Sequence, residues 1–217
     1  FMKELLFDHV DILPENYHVP DGLLSKEEIA DYCAEYEKKI ESLGGIDLQI
    51  LGIGGNGHIG FNESGSLQNS KTRLVALDHI TRVAASKDFS GLSNTPRTAI
   101  TLGVKKIMEA KKVILMAWGE GKANIIKKSV EDEVTNRIPA SFLQEHNNAV
   151  FVLDKEASSK LTRINRPWLV EKVIWTDKLT RKAVLGLALE LKKPILMLTD
   201  ADYIENGMSD LLAHSGP

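Results

Sequence analysis

Apolar residues recur along this chain in two rhythms, and the alternation between them predicts its architecture. From residue 26 to about residue 43, Ile29, Tyr32, Cys33, Tyr36 and Ile40 fall on one helical face. Ser25-Lys26-Glu27-Glu28 reads as a capping box at the start of that helix. Gly44-Gly45 ends it, because glycine accepts the left-handed backbone of a helix terminus. The run over 46–53 is then mainly apolar, as a buried strand requires. Further along, the pattern predicts a short strand over 98–102, a short helix over 104–110 and a strand over 112–118. A helix over 121–130, a short helix near 141–145 and a strand over 149–153 follow. Strands alternating with helices predict an α/β fold, a Rossmann-like parallel sheet with helices on both faces.

After Asp154 the character changes. Thr162-Arg163-Ile164-Asn165-Arg166-Pro167-Trp168 reads as a linker. A helix over 178–192 is expected, capped by Thr176 or Asp177 and stopped by Pro194. Residues 195–198 read as a short strand or extended segment. Residues 200–216 read as acidic and irregular, with at most a turn of helix at 209–213. Trp168 and Trp175 are expected to anchor this tail against the sheet. The expected division is therefore a domain over 1–155 and an extension or linker over 156–217.

Composition narrows the class. The chain has 217 residues, 43% hydrophobic and 26% charged, enough for one sizeable core. A net charge of −3 and the lack of a basic stripe give no case for nucleic acid. No apolar run reaches the length of a membrane span, and the N-terminal residues have no signal-peptide pattern. The single cysteine, Cys33, falls on an apolar helix face and is expected to be buried and inert. These features favour the cytoplasm.

Candidate chemistry concentrates in Leu51-Gly52-Ile53-Gly54-Gly55-Asn56-Gly57-His58-Ile59-Gly60-Phe61-Asn62-Glu63. The glycines let the backbone turn sharply and approach a ligand. His58 exchanges protons near neutral pH, and Glu63 can orient it. Gly52, Gly54 and Gly57 also satisfy G-x-G-x-x-G, the dinucleotide fingerprint. Asp78 sits near the distance of the acidic residue that such a fold needs. No strand is evident ending at Asp78, however, and His58 and Glu63 would go unexplained.

The segment Gly52-Ile53-Gly54 through Asn56-Gly57-His58-Ile59-Gly60-Phe61-Asn62-Glu63 closely resembles the active-site loop of glucosamine-6-phosphate deaminases. The resemblance extends upstream to Phe7-Asp8-His9 and Glu15-Asn16-Tyr17-His18-Val19-Pro20. Downstream it takes in Gly65-Ser66-Leu67, Thr72-Arg73, Thr81-Arg82-Val83-Ala84, Pro96-Arg97-Thr98 through Gly103, and Gly119-Glu120-Gly121-Lys122-Ala123. It runs from residue 1 to about Asp154. The family's first strand, its phosphate loop and its acidic isomerising base have no counterpart, so the chain reads as a fragment lacking the N-terminal part. The tail resembles extended bacterial versions.

The resemblance implies conversion of glucosamine 6-phosphate to fructose 6-phosphate and ammonia, without metal or organic cofactor. His58 is the expected ring-opening residue, Glu63 its partner, and Asn56 an orienting amide where other members carry Asp or Asn. Lys122, at a helix N-terminus, is the expected phosphate ligand. Lys87 falls where many members carry an arginine; it keeps the charge without the bidentate fork. Gly55 and Gly57 bring backbone close to the substrate. Arg82 reads as structural, as do His9, His18, His79 and His146. The expected partner is a small-molecule sugar phosphate, with neither nucleic acid nor membrane; a homo-oligomer is compatible with the family. Alternatives are a 6-phosphogluconolactonase, whose loop usually continues differently after Gly-His, and a sugar-phosphate-binding regulatory module without catalysis. The fragment by itself is expected to have little or no activity.

Overall fold

The computed structural model describes residues 1–214. In chain order its regular elements are α1 (Met2–Leu5), α2 (Lys26–Ser42), β1 (Gln49–Leu51), β2 (Arg73–Ala76), α3 (His79–Ala85), β3 (Thr98–Thr101) and α4 (Val104–Met108). They continue with β4 (Val113–Ala117), α5 (Ala123–Glu131), β5 (Ala149–Leu153), α6 (Lys155–Ser158), α7 (Thr162–Asn165), α8 (Asp177–Leu191), α9 (Asp200–Glu205) and α10 (Ser209–His214). Two compact units result. The first comprises Phe1–Met116 and Glu133–Val152; the second comprises Ala117–Asp132 and the described residues from Leu153 onward.

In the first unit the sheet order is β1-β4-β5, with β1 and β4 parallel and Leu51 opposite Leu115. Leu51, Val113 and Leu115 are buried, as an α/β core requires. The expected α/β class is borne out. The strand expected over 46–53 is shorter, because only Gln49–Leu51 pair with β4 and the glycine loop begins at Gly52.

β3 was expected within the same alternation. It instead pairs antiparallel with β2, an element the pattern did not reveal, in a separate two-stranded sheet. β2 ends at Ala76, two residues before Asp78, so a strand does end near that residue. Its antiparallel pairing is not that of a dinucleotide-binding βαβ unit.

Helix α2 begins and ends as its sequence predicts. Glu28 accepts hydrogen bonds from the Ser25 N–H at 3.1 Å and the Ser25 hydroxyl at 2.6 Å. Gly44 and Gly45 leave the helix at φ of +89° and +86°. Cys33 is buried on its inner face. So is Glu37, whose carboxylate accepts the Thr72 N–H at 2.6 Å and pins the entry to β2.

The second unit is mostly helical. α8 is capped by Thr176, whose hydroxyl accepts the Leu179 N–H, and ends at Lys192 in the left-handed region. Ala183 and Leu187 of α8 meet Met208 and Leu211 in a buried cluster, with Trp168, Trp175 and Tyr203 packed against it. Three tail expectations are corrected. Residues 162–168 form α7 and the start of a 3₁₀ turn, Pro167–Leu169, rather than a plain linker; 195–197 form a 3₁₀ turn rather than a strand. The acidic segment from residue 200 forms α9 and α10, since Thr199 and Asp202 make a capping box and Met208 and Leu211 are buried by α8. Residues 215–216 of that expectation lie outside the described residues. The two tryptophans are seated on the tail's own helical cluster.

Candidate functional site: a glycine loop holding a histidine–carboxylate pair

The loop after β1 folds back on itself. The Gly57 N–H donates to the Gly54 carbonyl at 3.0 Å, and the Gly54 N–H donates to the His58 carbonyl at 3.0 Å. Gly57 takes φ of +88°, a conformation that side chains with a Cβ resist. Gly54 is required for a different reason: a Cβ there would lie 2.4 Å from the His58 ring. The imidazole therefore rests on bare backbone.

Three anchors hold the loop's far end. The Phe61 N–H donates to Thr101 Oγ1 at 3.0 Å. Asn62, fully buried, donates to the Ile59 and Leu102 carbonyls at 3.0 and 2.8 Å. Arg73 of β2 donates to Asn62 Oδ1 at 3.0 Å and to Ser66 Oγ at 2.9 Å. Burial pulls the Arg73 guanidinium below its ordinary pKa.

At the centre, His58 Nδ1 lies 3.0 Å from Glu63 Oε2. The two side chains are 15% and 9% exposed, so the pair is sheltered from water. An ionised carboxylate only accepts, so Nδ1 carries the proton and Nε2 is the nitrogen left for proton exchange with a ligand. Glu63 also accepts the Thr81 hydroxyl at 2.6 Å, the Asn56 amide at 2.7 Å and the Asp78 N–H at 3.3 Å. Burial pushes the Glu63 carboxyl up. The hydrogen bonds from Thr81 and Asn56, the His58 charge and the Asp78 N–H together outweigh it and hold the group below its ordinary value. Glu63 is thus an anion at neutral pH, suited to orient and stabilise an imidazolium.

The structure brings Asn56, Gly57, His58 and Glu63 together. Gly55 lies in the turn before them, with open space at its Cα. Lys87 is exposed in the turn after α3. Lys122 is the N-cap of α5 in the second unit, half-buried, and its N–H donates to the Gly119 carbonyl at 3.0 Å. Gly119, at φ +85°, lets that turn form. Arg82 donates to the Leu92 carbonyl at 3.1 Å, a fold contact. His9, His18 and His146 likewise make hydrogen bonds within their own unit. A cavity of about 410 Å³ in the second unit, beside Trp168, Lys182 and Leu189, is lined by none of the candidate site residues. No group of three or more metal-ligating side chains lies together among the described residues.

Sequence reasoning did not assign Asp78 or Thr81 to the loop. Both touch the Glu63–Asn56 group from the start of α3. The visible signal was that Asp78 and Thr81 bracket a helix start, a place where polar side chains face back toward a preceding loop.

Residues 1–152 match the family described as glucosamine-6-phosphate isomerases/6-phosphogluconolactonase. A protein of Bacteroides thetaiotaomicron named as a putative glucosamine-6-phosphate deaminase-like protein is 54% identical over 99% of this chain and 32% of its own length. The glucosamine-6-phosphate deaminase of Shouchella clausii is 45% identical over 75% of this chain and 65% of its own. A solved structure of a monomeric glucosamine-6-phosphate deaminase superposes with a TM-score of 0.70 at 36% identity, covering 73% of this chain and 65% of that one. The chain thus spans about a third of the Bacteroides protein and 65% of the Shouchella enzyme. With the loop geometry and a match over more than half its length, the chain belongs to the glucosamine-6-phosphate isomerase/6-phosphogluconolactonase family.

Proposed function

We propose that this chain carries the ring-opening site of a glucosamine-6-phosphate deaminase. The observation that carries the reading is the His58–Glu63 pair at 3.0 Å on a glycine turn. Family membership and the names of its relatives support the same reading.

In this reading His58 Nε2 takes the proton of the sugar's O1 hydroxyl, and the imidazolium returns a proton to the ring oxygen. The C1–O5 bond breaks as the C1 carbonyl forms, and Glu63 stabilises the transient imidazolium. A proton then moves from C2 to C1 while the C1 carbonyl oxygen takes up a proton and the amine nitrogen gives one up, leaving a hydroxymethyl C1 and an imine at C2. Water adds to that imine, and fructose 6-phosphate and ammonia leave. Asn56 orients the pair through its amide. Gly55 and Gly57 admit the substrate close to backbone, and Lys87 supplies positive charge for its phosphate. A single buried cysteine suits the cytoplasm as the compartment. Residues 1–155 carry the chemistry in this reading, and 156–217 form an extension. Among the described residues no helix is long and apolar enough to cross a membrane.

The test is product formation by the natural polypeptide that contains residues 1–217. Glucosamine 6-phosphate is expected to yield fructose 6-phosphate and ammonia in equal amounts, with no acceleration of 6-phosphogluconolactone hydrolysis. Lactone hydrolysis without ammonia release would overturn the reading in favour of a lactonase. Binding of the amino sugar without turnover would replace it with a binding module.

A further inference from the structure

Asp78 occupies the N-cap of α3 and does not use its side chain to cap that helix. Aspartate at an N-cap ordinarily accepts from the first turn. Here its carboxylate is turned onto the glycine loop, where Oδ2 accepts from Asn56 Nδ2 at 2.9 Å. The same Asn56 nitrogen donates to Glu63 Oε2 at 2.7 Å, and Asn56 Oδ1 accepts the His58 N–H at 3.2 Å. The Asp78 N–H closes the ring on Glu63 Oε1.

An amide placed between two carboxylates has one stable orientation. Its NH₂ has two hydrogens, and both neighbours only accept. If the amide flipped, a carbonyl oxygen would face two anions and the His58 N–H would face an NH₂ group. Glu63 alone offers one acceptor; Asp78 supplies the second and makes the preference bilateral. A carboxylate at position 56 would leave three acceptors facing one another with no hydrogen among them. Asn56 and Asp78 are therefore a matched pair.

We propose that Asp78 is a positioning residue for the ring-opening pair. It locks the Asn56 amide, which in turn fixes the Glu63 carboxylate and the backbone of His58. The proposal rests on the deaminase reading for its kinetic consequence, and on geometry alone for its structural one.

Two measurements separate those consequences. In ¹⁵N-labelled protein of residues 1–217, the two Asn56 side-chain amide protons are expected to be protected from solvent exchange. Asp78→Ala should remove that protection from one of them, and Asp78→Asn, whose Oδ1 still accepts, should recover part of it. In the natural polypeptide, Asp78→Ala should lower kcat for ammonia release about tenfold with little change in KM, and Asp78→Asn should recover part of the loss. Asn56→Asp should cost more in the presence of Asp78 than in an Asp78→Ala background, because the third carboxylate is then gone. Unchanged Asn56 exchange in a folded Asp78→Ala protein would overturn the proposal whatever the enzyme does, and so would equal losses with Asp78→Asn and Asp78→Ala. Altered exchange in a polypeptide that turns over no amino sugar would leave Asp78 as the lock of the loop and overturn the deaminase reading instead.

Discussion

The glycine loop and the helical layer from α8 to α10 are ordered by opposite means. In the loop, one buried carboxylate gathers donors from Thr81, Asn56, Asp78 and His58, and direction matters more than area. In the helical layer, Ala183, Leu187, Met208 and Leu211 exclude water beneath two tryptophans, and area matters more than direction. The difference teaches what each region tolerates. An apolar cluster accepts a change of shape at a cost in stability. A polar ring on bare backbone loses its geometry with a single added methyl.

The largest effect should come from the apolar side. Leu187→Ala empties a buried position and is expected to cost about 2–5 kcal/mol, read as a lowered denaturation midpoint of the helical unit. A loss well under 1 kcal/mol would mean that the cluster does not hold that layer. On the polar side, Gly54→Ala drives a methyl into the His58 ring. It is expected to lower ammonia release by the natural polypeptide about 100-fold while the fold persists in circular dichroism. Normal turnover in that variant would show that the ring does not need its seat on backbone.

Acid sensitivity sharpens the comparison further. Glu63 is held below its ordinary value, so the folded state binds its proton less readily than the unfolded chain. Its contribution is complete at neutral pH and is lost as pH falls through the lowered value. The stability gap between the wild type and Glu63→Gln should therefore narrow on acidification below about pH 4. A gap that widens there would reverse the assignment. The smallest effect is expected at Asp202, which the Lys193 ammonium and the Thr199 N–H and hydroxyl hold down to about 2. Asp202→Asn should cost a modest amount of stability at neutral pH, and the difference should vanish only as pH approaches 2. Denaturant titrations at several pH values check both.

The same contrast explains what was legible in the sequence. Capping residues, glycine pairs and the strand–glycine junction act over a few neighbours, so α2, β4, α8 and the loop could be read from spacing. The Glu63–His58 contact spans five positions within one turn and was readable for the same reason. β2 was not, because Arg73–Ala76 is short and its pairing with Thr98–Thr101 depends on residues far along the chain. α9 was missed, and α10 was legible only as a turn of helix over 209–213, because acidic composition masked Met208 and Leu211, whose burial depends on α8. The spacing of Asp78 from the glycines suggests only a dinucleotide ligand. Its real neighbour, Asn56, lies 22 positions away and is brought to it by the loop's fold.

The most direct test of the central claim is ammonia release from glucosamine 6-phosphate by the natural polypeptide, compared with its His58→Ala variant. The account predicts release by the wild type and a fall of at least about 100-fold in a variant that keeps its fold. Equal rates in the two proteins, or no release by a folded wild type, would contradict it.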